Sequence, residues 1–514
     1  MFTYGPLGFL SVPAPFYGWS SALATVATFG VYLALTAMLL VIARRLLPLW
    51  AAALVVLLVG RLYGFLPPFE AIQAAVFVAG VEVLANDEAR DAPGRFRRSD
   101  GIALTCGLAA GVLGAGKLNV AVFTAAMLFV IAVARSRPWW RGGVVFIAVG
   151  AVTFIAIWIL TGQSLANLPA FAFGSLETIR GYAEAMVVDT HPTLRWVYAA
   201  FVALVGLLAW LGWLAMRDLP RRRLIAIAAL GAILAFAEWK TAFTRNYTYY
   251  AMITALIALF PFVSRLTSPD RRTIAGLAFA FAFIVSMATT RIDPIDVVDV
   301  RVSVRSAASM AAAMLPWRQA DAVERTRAEI RDELAIPDDV LRVLQAETVH
   351  VDPWQTIAMA AYPDLRWSPL PIFQSYSAYT TALDEINADV LRTDNARTPT
   401  RILRERTDNA SGQPLAVDNR FVWFEQPATT LETICRYEEV AADDRWQALA
   451  RSAGAACGEA QSVGAVTAKA GEPVTVPGPS SSEDIFLVRI SGFPSGLFER
   501  LKTLLYRADE WYIE

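Results

Sequence analysis

Ten apolar runs occupy the chain before about residue 290 and limit what it can become. They are Trp19–Ala43, Leu49–Leu66, Phe69–Ala85, Gly101–Gly116, Asn119–Ala134, Gly143–Thr161, Val197–Met216, Leu224–Trp239, Tyr249–Val263 and Ile274–Thr289. Their lengths lie close to, or just under, the ~20 residues that a helix needs to cross a bilayer. The excess shows in the whole chain, which is 56% hydrophobic with a mean hydropathy of +0.45, above a soluble globular protein. From Arg291 to Glu514 the composition is that of a soluble domain, with charges throughout. The expected architecture is an α-helical polytopic membrane domain of about ten spans (residues 1–290), followed by a C-terminal external mixed α/β domain (291–514).

Arginine placement assigns the sides, because basic residues in short loops stay in the cytoplasm. Arg44/Arg45, Arg90/Arg95/Arg97/Arg98, Arg135/Arg137/Arg141, Arg217 with Arg221–Arg223, and Arg265/Arg271/Arg272 fall in every second loop. The other side receives the Pro67-Pro68 turn, the Gly162–Arg195 loop and the whole C-terminal region. With ten spans both ends lie outside the cytoplasm. Only Lys117, Lys240, Lys469 and Lys502 are lysines among 45 basic residues, the arginine bias of a GC-rich bacterial genome. The predicted location is a bacterial plasma membrane, multi-pass, with the C-terminal domain extracytoplasmic. A net charge of −1 gives no global attraction to nucleic acid.

The start "MFTYGPLGFLSVPAPFYGWS" reads as a turn from the middle of a protein and has none of the parts of a signal peptide. Two readings follow: a first span and part of an external loop precede Met1 in the intact protein, or the chain is a genuine N-out protein. Cys106 lies within a span and reads as a small buried apolar residue. Cys435 and Cys457 both fall in the external domain, where an oxidising compartment allows a disulfide. Two buried free thiols are the alternative.

Ionisable residues in or beside spans are costly and mark function by default. Arg61 in "LLVGRLYGFLPP", Lys117 in "GVLGAGKLNVA", and Lys240 and Arg245 in "FAEWKTAFTRNYTYY" all fall toward the external side, against the trend of the arginine loops. Each taken singly could snorkel to lipid phosphates. Together they suit an anionic ligand, and phosphate in particular. The loop "TGQSLANLPAFAFGSLETIRGYAEAMVVDTHPTLRW" reads as short helices along the membrane surface. Its Glu177, Glu184, Asp189 and His191 are weak candidates for acid–base chemistry, set against the commoner fate of such charges as a solvated face.

In the external domain "TVHV" reads as a strand, and Asp352-Pro353 as the cap and first position of a helix "PWQTIAMAAY". "LRWSPLPIFQSY" reads as an extended stretch. "TRILRE", "FVWFE", "CRYEEVA", "RWQALARS" and "EDIFLVRIS" read as strands. The chain has two histidines, His191 and His350, and no metal-ligand cluster is visible. A nucleophile elbow, a Walker lysine motif and a Gly-rich dinucleotide turn are all lacking, which argues against ATP-driven transport and dinucleotide chemistry.

The phrases "FTYGPLGFL", "GLAAGVLGAGKLNVA", "LTGQSLANLPAFAFGSLETIRGYAEAM" and "PIFQSYSAYTTALDEINADVL" resemble bacterial proteins of the GT-C type, polytopic glycosyltransferases that use polyprenyl-phosphate sugars. The resemblance covers most of the chain but carries no catalytic signature. It implies inverting sugar transfer at the external face, with a catalytic acid in the first external loop. That loop would lie upstream of "FTYGPLGFL" and is lacking here, so the expected catalytic acid cannot be named. Lys117, Lys240 and Arg245, with Arg61 behind them, would hold the departing lipid phosphate. The implied partners are a lipid-linked sugar donor and membrane lipids. No cofactor is evident, and a divalent metal is compatible with the chemistry although no ligand set for one is visible. The rival readings are a non-catalytic membrane protein for surface-polysaccharide assembly or recognition, and a transporter of lipid-linked sugar.

Overall fold

The computed structural model describes residues 5–10, 18–86, 98–185, 194–245, 247–266, 268–290, 308–315, 317, 320–407, 412–417, 420–421, 424, 426–469, 472–475, 481, 485–491, 496–498 and 501–502. Helices α1 (Gly18–Ala43), α2 (Leu49–Tyr63), α3 (Pro68–Ala85), α4 (Arg98–Gly114), α5 (Leu118–Arg135) and α6 (Trp139–Leu160) come first. They are followed by α7 (Leu168–Ala185), α8 (Leu194–Met216), α9 (Arg221–Arg245), α10 (Thr248–Val263) and α11 (Pro269–Thr290). Leaving α7 aside, ten helices coincide with the ten apolar runs. Seven of them (α1, α3, α5, α6, α8, α9 and α11) are long and apolar enough to cross a membrane, whereas α2, α4 and α10 are shorter. The first part of the chain is a helical membrane domain.

Helix α10 lies at its centre. Every residue from Ala251 to Phe262 is buried, as expected of a helix that is apolar all round, and α3, α8, α9 and α11 pack around it. The arginine-bearing turns gather at one end. Glu82 near the end of α3 accepts from Arg45 after α1 (3.0 and 2.8 Å) and from Arg265 after α10 (2.5 and 2.8 Å). Arg141 of α6 pairs with Asp100 of α4 at 3.0 Å, and Arg222 of α9 donates to the Val133 and Ser136 carbonyls at the end of α5. The opposite, arginine-poor end carries the α2–α3, α4–α5, α6–α7 and α9–α10 turns.

The C-terminal region has a short helical stretch at residues 308–313, followed by α12 (Ala320–Leu334) and α13 (Asp338–Leu344). Next come β1 (Thr348–Asp352), α14 (Ala358–Ala361), β2 (Arg366–Trp367), α15 (Thr381–Arg392) and β3 (Arg401–Glu405). The last are β4 (Ala416–Val417), β5 (Arg420–Phe421), α16 (Pro427–Arg436), β6 (Tyr437–Ala442) and β7 (Trp446–Arg451). Five strands form one sheet in the order β2-β1-β3-β7-β6, with β1 parallel to β2 and β3, and the rest antiparallel. One sheet face buries Val349, Val351, Leu403, Trp446 and Ala448 against Leu334, Val340 and Leu344. The other buries Ile402, Leu449 and Tyr437 with Leu370 and Leu391 of the α15 side. Cys435 of α16 and Cys457 are joined by a disulfide across 22 residues, while Cys106 is a buried free thiol.

Three local readings need correction. The helix expected from Pro353 onward is confined to Ala358–Ala361. Asp352 does not cap it but ends β1, because its carboxylate is taken by Arg404 and Ser375. The described part of "EDIFLVRIS", residues 485–491, is irregular rather than a strand. Of "FVWFE", Phe421 lies in β5, Phe424 is helical, and the remaining three residues lie outside the described residues.

The two regions meet at the arginine-poor end. A Cβ on Gly181 of α7 would stand 2.6 Å from Tyr379 Cβ and 2.8 Å from its carbonyl oxygen, so the absence of a side chain permits the approach. Beside it the rings of Tyr182 and Tyr379 meet edge to face at 5.9 Å. Thr380, the next residue, caps α15 by accepting from Leu383 N.

Candidate functional site

The arginine-poor end of the bundle holds a group of polar side chains around Glu70 and Lys117. Its construction starts at Pro67-Pro68, which stops α2 from continuing and supplies a proline at the first position of α3, where the missing N–H has no helical role. That puts Phe69 and Glu70 in the first turn, the position at which the helix dipole favours an acid. The Phe69 ring lies over Gly116, where a Cβ would stand 2.4 Å from its Cζ. The close approach brings the α4–α5 turn against the start of α3, and Lys117 Nζ donates to Glu70 Oε1 at 2.8 Å. The turn is covered in turn by the N-terminal segment, with Gly5 N and Leu7 N donating to the Gly116 and Ala115 carbonyls at 2.7 Å each.

Beneath this pair the polar lining continues. Glu70 Oε2 and Gln73 Nε2 are both buried without a hydrogen-bond partner among the described residues. They are three residues apart, hence on one face of α3. Leaving a buried acceptor or donor unsatisfied costs about 1–3 kcal/mol each, and in native structures such groups go with a bound water or ion, local strain or a catalytic role. Glu238 of α9 is 5% exposed, beside Thr254 of α10 and within electrostatic range of Glu70. Tyr32 and Tyr250 lie within the same range. Tyr32 stacks on Tyr63 at 6.0 Å and donates to the Leu66 carbonyl, Tyr63 shares a hydrogen bond with Thr36, and Tyr250 packs with Tyr247 and Tyr249. The chemistry on offer is a carboxylate with one free acceptor, an amide donor, an ammonium group and phenols, at the mouth of a helical bundle.

The residues singled out by sequence are distributed unevenly over this end. Lys117 is in the group, but bound to a carboxylate rather than standing in a purely cationic cluster. Lys240 is two residues after Glu238 and so about 200° round α9 from it. Arg61 occupies the last turn of α2, and Arg245 is the last residue of α9, its side chain outside the described residues. Glu177 lies in α7, 3.7 Å from Arg180. Glu184 is also in α7 with its side chain outside the described residues, where Asp189 and His191 also fall. Glu70 and Gln73 are the members that sequence reasoning missed. For Glu70 a signal existed: an acid directly after a Pro-Pro turn at the end of an apolar run.

A second polar cluster lies inside the C-terminal domain. Asp352 takes Arg404 Nε at 2.8 Å and a hydrogen bond from Ser375, and Gln426 Nε2 donates to Ser375 Oγ at 2.9 Å. Burial alone would raise the Asp352 carboxyl, but the Arg404 charge, His350 and the Ser375 hydrogen bond outweigh it and hold it below the usual range. Burial pushes His350 down to about 4. His350 Nδ1 accepts from Leu370 N at 3.4 Å while the Ser375 hydroxyl donates to Asp352, so the histidine does not address the serine hydroxyl. All of these side chains are buried, which makes the cluster an internal strut. Among the described residues no group of three or more His, Cys, Asp or Glu is placed to hold a metal ion.

Comparison with protein-family models, curated proteins and solved structures gives no match.

Proposed function

We propose that the protein transfers a sugar from a polyprenyl-phosphate-linked donor to an acceptor hydroxyl at the arginine-poor face of a bacterial plasma membrane. The observation that carries this reading is the α3 face on which Glu70 Oε2 and Gln73 Nε2 are buried without partners while Lys117 holds Glu70 Oε1. Such a transfer needs a base for the acceptor proton and a cation for the departing phosphate. The acceptor oxygen bonds to the anomeric carbon as the bond from that carbon to the phosphate oxygen breaks. The acceptor proton passes to Glu70, and the lipid phosphate leaves with the bonding electron pair toward Lys117. Donor phosphate would draw Lys117 off Glu70 and so free the carboxylate for the proton. Lys240, Arg245 and Arg61 add positive charge at the same end. Arginine-rich loops favour the cytoplasmic side, which in this reading turns the C-terminal domain and its disulfide toward an oxidising compartment.

Glu238, a buried acid within a span, favours a second reading, movement of the lipid-linked sugar across the membrane. One experiment separates the two. The purified protein in vesicles is given a panel of polyprenyl-phosphate sugars with acceptor lipids or glycans, and free polyprenyl phosphate is measured. Transfer predicts protein-dependent release for at least one donor. Donor crossing the bilayer uncleaved supports transport instead, and neither event with folded protein rejects both.

A further inference from the structure

Helix α7 uses its two sides differently. Phe171, Ser175, Thr178, Gly181 and Tyr182 recur at helical spacing, and Ser175 and Thr178 are only 2% and 6% exposed. This is the side that meets Tyr379 and Thr380 of the C-terminal domain. The opposite side presents Phe173, Leu176 and Ile179 at 49%, 66% and 41% exposure, with Arg180 among them. In water such a face would be an unpartnered apolar stripe.

The start of α7 fixes its height. Phe171 packs on Trp158 at 5.0 Å and on Phe154 at 6.4 Å between ring centroids, both in the last two turns of α6. Trp158 Nε1 donates to the Ser164 carbonyl at 2.9 Å, which locks the connecting turn. Phe154 lies six residues before the end of α6 at Leu160, about 9 Å along the axis at 1.5 Å per residue. The start of α7 therefore lies beside the end of an apolar span, not above it. Near the end of α6, Ile155, Ile159 and Leu160 are exposed as well. Interfacial helices bury their apolar faces roughly 5–10 Å into the boundary between headgroups and acyl chains, and an arginine on such a face reaches back to the phosphates.

We infer that α7 is an interfacial helix: its Phe173–Leu176–Ile179 face lies in the lipid boundary of the same membrane while its small-residue face seats the C-terminal domain. The inference does not depend on the transferase reading. A helix held by lipid on one side and by Tyr379 on the other sets the height of that domain above the membrane.

The test uses the full chain in phospholipid vesicles, with Cys106→Ala as background and nitroxide labels at Phe173→Cys and Leu176→Cys. A label at Ser268→Cys, in the turn before α11 at the arginine-rich end, is the water-exposed reference. Collisions with oxygen and with a water-soluble nickel chelate are compared. Both α7 labels are expected to favour oxygen and to report a depth of roughly 5–10 Å below the phosphates. Labels that favour the nickel chelate would show the face in water, and labels shielded from both reagents would show it covered by protein. Either outcome overturns the inference.

Discussion

Lys117 and Glu70 meet across 47 residues of sequence, with Nζ 2.8 Å from Oε1 and neither side chain more than one-fifth exposed. The pair joins the α4–α5 turn to the first turn of α3 and leaves the second carboxylate oxygen unused. Removing one member of a buried ion pair strands the other charge. Lys117→Met and Glu70→Gln singly should each cost roughly 3 kcal/mol, and the double variant much less than their sum. Thermal unfolding in detergent measures the cycle. Additive losses would show that the two side chains do not hold each other.

The seat of the C-terminal domain predicts an inverted glycine effect. Gly→Ala inside an exposed helix normally stabilises by about 1 kcal/mol. At Gly181 a Cβ meets Tyr379 within 2.6 Å, so Gly181→Ala and, more strongly, Gly181→Val should push the two regions apart. Hydrogen exchange of amides in α7 and at the start of α15 should then accelerate several-fold. Unchanged protection in both variants would contradict the contact.

The outline of the membrane domain was legible in the sequence because apolar run length and arginine spacing are local signals. The ten runs became ten helices, and Arg45, Arg141, Arg222 and Arg265 gathered at one end through Glu82, Asp100 and backbone carbonyls. The candidate site was less legible because Glu70 meets Lys117 only through the packing of Phe69 on Gly116, a contact no local rule encodes. A search for like charges found Lys117 and passed over its acid. Asp352 shows the same limit in the other direction. The Asp-Pro pair fits a helix start locally, but Arg404, 52 residues on, captures the carboxylate.

The buried cluster around Asp352 makes the C-terminal domain acid-labile. His350 falls from 6.5 to about 4 in the folded state, so below pH 6.5 the unfolded chain binds a proton that the folded chain does not. Asp352 and Arg404 are the charges that face it. Stability should therefore decline by up to about 1.4 kcal/mol per pH unit from near 6.5 to near 4. The depressed Asp352 carboxyl contributes stability that is present above its ordinary value of 3.8 and is lost as pH falls through the folded value. Denaturant midpoints between pH 7 and pH 4 measure this, and His350→Gln should flatten the upper part of the curve. An equal slope in the variant would contradict the role of His350.

The disulfide closes 22 residues, for which the loop-entropy relation gives roughly 3 kcal/mol. Cys457→Ser should lower stability by about that amount, and reduction of the native protein should match the variant. Equal denaturation midpoints with and without reductant would show that the bridge contributes nothing.

Base catalysis by Glu70 is the centre of the functional account, and comparing Glu70→Gln with the native protein tests it most directly. The variant keeps the shape and a hydrogen-bond acceptor for Lys117 but cannot take the acceptor proton at neutral pH. With a donor that the native protein turns over in vesicles, release of polyprenyl phosphate should fall by about 10²–10⁴-fold while donor binding changes far less. Release from Glu70→Gln at the native rate, with native donor binding, would contradict the account.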